Sequence, residues 1–126
     1  MKTLMKVALF ALAFSLSAVT LADNHSTLRV VTVATDDVDA YIVQLRKGKQ
    51  LMMKVAPKML MRAWRGTFAG EAAGSIIVSL EYPGSLSDFA SAWEKTQGDK
   101  DMAAWLDGLS GMRKLVSDSL YQEISI

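Results

Sequence analysis

Residues 59–82 pass twice through strand-forming residues on either side of a glycine-bounded turn, so any fold for this chain must accommodate a β-hairpin there. The first pass (MLMRAWRGTFAG, 59–70) alternates Leu60, Arg62, Trp64, Gly66 and Phe68 against Met59, Met61, Ala63, Arg65 and Thr67. The second (GSIIVSLEY, 74–82) sets Ile76, Val78, Leu80 and Tyr82 against Ser75, Ile77, Ser79 and Glu81. Successive side chains of a strand point to opposite faces, which predicts one strongly apolar face and one mixed face for the second pass. A two-stranded hairpin is marginal in water and needs more strands or a covering helix.

The flanking sequence supplies both. Residues 28–35 (LRVVTVAT) are rich in β-branched residues and predict a first strand. Asp36, Asp37 and Asp39 follow, and carboxylates suit a helix N-terminus, where free N–H groups and the dipole favour negative charge. Val38, Tyr41, Ile42, Leu45, Met52 and Val55 then recur at helical spacing. Gly48 interrupts that helix at a cost of about 1 kcal/mol, and Pro57 should end it. After the hairpin, Pro83-Gly84 breaks the strand, and Ser85 with Asp88 forms the start signal of a helix carrying Leu86, Phe89, Ala90 and Trp93 on one stripe. Gly98 is expected to stop it. A short third helix carries Met102, Trp105, Leu106 and Leu109, and the alternation of Leu120, Gln122 and Ile124 predicts a last strand. The order β-α-β-β-α-(α)-β is the split βαβ, ferredoxin-like plan: a single α+β domain over residues 28–126, an antiparallel sheet with helices on one face.

The first 22 residues follow a different logic. Lys2 and Lys6 precede an uncharged run over residues 7–19, and Thr20-Leu21-Ala22 offers small residues for cleavage. This is a secretory signal pattern, too short for a comfortable membrane span of roughly 20 residues. Cleavage after Ala22 is expected, giving a periplasmic or secreted protein with a polar lead-in over residues 23–27. It removes two lysines and leaves twelve bases against thirteen acids. Such a near-neutral domain argues against nucleic acid as a partner. There is no cysteine, so an exported chain must stand on its core without disulfides.

Glu81-Tyr82-Pro83, then Leu86, Phe89-Ala90 and Trp93, after a hairpin containing tryptophan and glycine, resembles the dimeric α+β barrel superfamily, with most likeness to its NIPSNAP-like members. The resemblance implies a homodimer whose sheets face each other and a pocket between each sheet and its own helices. The superfamily includes cofactor-free monooxygenases, haem enzymes and small-molecule isomerases, and fold alone does not select among them. Haem members need an axial histidine within the domain; the one histidine here, His25, precedes the first strand, so no cofactor is expected.

The residues themselves exclude several chemistries. No cysteine, and no histidine within the predicted domain, stands ready for nucleophilic catalysis, and Gly66, Gly70 and Gly74 lie in a hairpin rather than a phosphate loop. Tyr41, Trp64, Phe68, Trp93 and Trp105 are pocket candidates, although core packing accounts for aromatics at such spacing without a ligand. Arg62, Arg65 and Glu81 are the polar candidates beside them, with Glu123 a second carboxylate for the mixed face. Seven bases and no acid occupy residues 40–70, whereas residues 71–126 hold nine acids and four bases. That run suits a solvated helix face, an anionic ligand, an acidic membrane surface or docking between subunits. A chain cut after Ala22 begins Asp23-Asn24-His25, whose amine, two amides and imidazole suit Cu(II) or Ni(II).

No specific activity emerges. The first reading is a dimeric domain that binds a small apolar or anionic molecule or serves through self-association. The alternative is a cofactor-independent monooxygenase or isomerase acting on a small aromatic substrate.

Overall fold

The computed structural model describes residues 25–67, 70 and 73–126. The expected leader with its cut site, and Phe68, lie outside the described residues. Seven elements follow one another: β1 (Thr27–Ala34), α1 (Val38–Val55), β2 (Leu60–Arg65), β3 (Ile76–Tyr82), α2 (Leu86–Gly98), α3 (Lys100–Leu109) and β4 (Lys114–Gln122). The strands form one antiparallel sheet in the order β2-β3-β1-β4, the ferredoxin-like arrangement that the order of elements predicts.

Local chemistry sets most boundaries. The Asp37 carboxylate accepts from the Ala40 N–H at 3.0 Å and caps α1, which ends at Val55 with Ala56 as its C-cap, just ahead of Pro57. Ser85 and Asp88 form a reciprocal capping box at the start of α2. Asp99 closes α2 and caps α3 through the Met102 N–H, so one residue serves two helices. The hairpin turn is closed by the Gly66 N–H on the Ser75 carbonyl at 2.9 Å, and Gly74 turns it at φ 85°, a left-handed conformation that glycine adopts without steric cost.

Gly48 does not interrupt α1. It is buried, and a Cβ there would fall on the indole ring of Trp105, whose Nε1–H donates to the Gln44 carbonyl at 2.7 Å. The glycine is the seat of a tryptophan that locks α3 across α1.

The helices cover one face of the sheet. Val31 and Val33 from β1, Ile76, Val78 and Leu80 from β3, and Met61 from β2 point into a core completed by Tyr41, Leu45, Met52, Phe89, Met102 and Leu109. Among the described residues no buried side-chain polar atom lacks a partner: Thr27 donates to the Gly84 carbonyl and Thr96 to that of Trp93. The other face carries Leu60, Arg62 and Trp64 of β2 beside Ile77, Ser79 and Glu81 of β3, the mixed set that the alternation predicts. No element of the described chain covers it, and Trp64 remains 51% exposed while its Nε1–H donates to Ser79 Oγ at 2.9 Å.

One irregularity shapes the far edge. Val33 pairs with Leu115 but Thr32 with Ser117, so Val116 is an extra residue, a β-bulge. Beyond it Asp118 pairs with Val31 and Leu120 with Arg29. Leu115 and Asp118 therefore share the helix-facing side despite their odd spacing.

Candidate functional site

Between the sheet and the helices, toward the β4 edge, lies a partly open cleft of about 80 Å³. The sheet contributes Val31, Val78 and Leu80; the helices contribute Trp93, Trp105 and Leu109. Three charged side chains, Arg29, Arg113 and Asp118, interrupt this apolar lining.

Arg29 sits on the core side of β1 by alternation with Val31 and Val33, where a bare guanidinium would lose its hydration. Two interactions compensate. Its Nε donates to Asp118 Oδ1 at 3.0 Å and its Nη2 to Oδ2 at 2.7 Å, a two-pronged bond across the β1–β4 pair. Its guanidinium carbon also lies 4.8 Å from the centroid of the Trp93 ring, within cation–π range. The hydrogen bond from Arg29 holds the Asp118 carboxyl below its ordinary value; the charges of Arg29 and Arg113 act in the same direction, and partial burial opposes them.

Arg113 follows the turn after α3 and donates from Nη1 to the Tyr41 hydroxyl at 3.0 Å. Tyr41 is fully buried, so this bond fixes the arginine against α1. A guanidinium has five N–H donors. With two arginines and one carboxylate, the cleft carries a net positive charge in apolar surroundings.

The residues that the sequence nominates divide between two sides of the sheet. Trp93 and Trp105 line the cleft, and Tyr41 touches its rim through Arg113. Trp64, Arg62 and Glu81 stand on the uncovered face, separated from the cleft by the sheet. Arg65, opposite Ile76, is exposed at the end of β2. Glu123 accepts from the Ser26 N–H at 2.9 Å and fastens the end of β4 to the start of β1. His25 lies immediately ahead of β1, and among the described residues no three histidine, cysteine or acidic side chains cluster as a metal site. Sequence reasoning misses Arg29, Arg113 and Asp118. The available signal is Arg29 itself, a charge at a position that alternation assigns to the core face.

A second, more open groove of about 190 Å³ runs between α1 and β2. Ile42, Leu45, Met61 and Ala63 form its floor, with Arg46, Lys49 and Arg62 beside them.

No family model and no curated protein matches the sequence. Solved structures do. A NIPSNAP family protein from Agrobacterium tumefaciens is similar with a TM-score of 0.62 at 15% identity, over 82% of this chain and 88% of that one. A dimeric ferredoxin-like protein of unknown function from Thermobifida fusca matches with a TM-score of 0.51 at 11% identity, over 82% and 94%. The chain has the ferredoxin-like α+β fold of these structures. SnoaB, a cofactor-independent oxygenase from Streptomyces nogalater, matches with a TM-score of 0.54 at 8% identity, over 82% and 94%. At such identities the likeness concerns the fold of the single chain and carries no residue roles. The cleft lies between the sheet and its own helices, and the uncovered face is the opposite side of the sheet.

Proposed function

We propose that this chain is an exported, ligand-binding barrel protein that pairs through its uncovered sheet face and holds a small apolar or anionic molecule in each sheet–helix cleft. The observation that carries the reading is the cleft itself: two tryptophans over an apolar floor, with an arginine–aspartate clamp and a second arginine at its rim. Such a lining buries an apolar body and orients a polar or negative group. Exposed Leu60 and Trp64 support pairing, because an apolar patch on a sheet face is stabilised when a second surface covers it. The leader pattern supports export, and among the described residues no helix is long and apolar enough to cross a membrane.

Native mass spectrometry of the protein purified from the envelope fraction tests cut site, subunit count and retained ligand together. A chain starting at Asp23, found as a dimer with added mass that Arg113→Leu loses, is the expected result. An adduct-free monomer removes the reading.

Catalysis without a cofactor is a second reading, favoured by the likeness to an oxygenase of that kind and by two arginines positioned to polarise a substrate oxygen. In it Arg29 and Arg113 take the place of the polar candidates Arg62, Arg65 and Glu81. The ligand identified by mass would be incubated in air, and unchanged recovery of that ligand would remove the enzymatic reading.

A further inference from the structure

The cleft and the groove are separated by little more than two side chains. Leu45 and Met61 line both, one from α1 and one from β2. Both are buried, but Met61 has an unbranched thioether chain that adapts its shape to what lies beside it. On the groove side the surroundings change character. Arg46 and Lys49 stand three residues apart on one side of α1, and Arg62 approaches from β2. Residues 40–70 contain no acid, and among the described residues the one ion pair joins Arg29 to Asp118 and involves none of these three cations.

A solvated basic face explains the cations but not the apolar floor beneath them. Nor does a compact ligand fit well, since spaces of about 190 and 80 Å³ are each below the roughly 300 Å³ at which compact ligand pockets begin. Joined end to end past Leu45 and Met61, they suit a thin chain. We propose that the groove is the anchoring site of a single-chain anionic amphiphile, a medium-chain alkyl carboxylate. Its head rests on Arg46 and Lys49, and its chain runs along Ile42 and Ala63, past Met61, toward the tryptophans of the cleft. The inference rests on the cleft being a binding site and names the class of ligand it takes.

Alkyl carboxylates below their micelle-forming concentration, with the far carbon brominated, test it on the full mature chain. A Trp64→Phe background leaves Trp93 and Trp105 as the reporters. The expected result is saturable quenching whose affinity rises up to about fourfold per methylene from hexanoate to decanoate. Arg46→Glu with Lys49→Glu should weaken decanoate about tenfold, and added salt should weaken it too. Both side chains are exposed, and an unchanged melting temperature verifies the fold of the variant. If the matching alcohol and trimethylammonium probes quench equally well, or the charge reversals change nothing, the groove inference falls while the cleft remains a binding site. If no chain quenches, the inference falls and the retained mass in native spectrometry decides the cleft reading separately.

Discussion

At the scale of single residues, two opposed effects meet at Gly48. Helix propensity alone makes Gly48→Ala stabilising by about 1 kcal/mol. The Trp105 ring occupies the place of the new methyl group, and tilting it away breaks the Nε1–H bond to Gln44. Overpacking of that kind costs about 1–3 kcal/mol and should win. Denaturant unfolding should therefore show Gly48→Ala destabilised, and the same change made in a Trp105→Ala background neutral or stabilising. A destabilisation that persists without the tryptophan would contradict the seat. Asp118 offers a test by pH. Its folded carboxyl titrates below the ordinary value of 3.8, so the stability it contributes is full above that value and is lost as pH falls through the folded one. The pair is partly exposed, so Asp118→Asn should cost at most about 1 kcal/mol at neutral pH. The gap between wild type and variant should stay level above about pH 5 and close in acid.

At the scale of elements, Asp99 binds two helices into one unit. Its carboxylate accepts from Met102 N–H at 3.0 Å, and its own N–H bonds back to Thr96. Asp99→Ala keeps the backbone bond and loses the cap, which should cost about 1 kcal/mol in thermal or denaturant unfolding, whereas a substitution at neighbouring, exposed Lys100 should cost far less. The helix signals at Asp37, Ser85 and Asp88 were readable in the sequence because caps act within three or four residues. So was the two-sided hairpin, since alternation is a local property. The site was not. Arg29 and Asp118 lie 89 positions apart and meet only because β4 pairs beside β1. Alternation marks Arg29 as a charge on a core face but cannot name its partner. Gly48 was misread for a similar reason: its neighbour Trp105 belongs to another helix.

At the scale of the whole molecule, the uncovered sheet face is the surface that the proposed pairing uses. Trp64 lies exposed over Ser79, on the same face of β2 as Leu60. A glutamate in place of Trp64 puts a charge where two faces would meet, and burying an unpaired charge is costly. Sedimentation should show wild type as a dimer and Trp64→Glu shifted to monomer, with far-ultraviolet circular dichroism unchanged because no described core residue is touched. A wild-type monomer, or a variant that still pairs, would exclude this face as the contact. Arg113→Leu, in contrast, should leave the subunit count alone, since the cleft lies behind the sheet.

The extra residue in β4 works as a change of phase. Before Val116 the odd-numbered position, Leu115, looks toward the helices; after it the even-numbered positions, Asp118 and Leu120, do. Deleting Val116 would restore a single parity from Leu115 to Gln122, with Leu115, Ser117 and Asp118 pairing with Val33, Thr32 and Val31 in unbroken alternation. Leu115 would keep its place in the cleft and Asp118 its bond to Arg29, at the loss of the local bend that the bulge gives the strand. Along this strand, then, the loss of one residue at Val116 leaves both faces in place, whereas the loss of one residue between Asp118 and Gln122 would turn one end of the strand over.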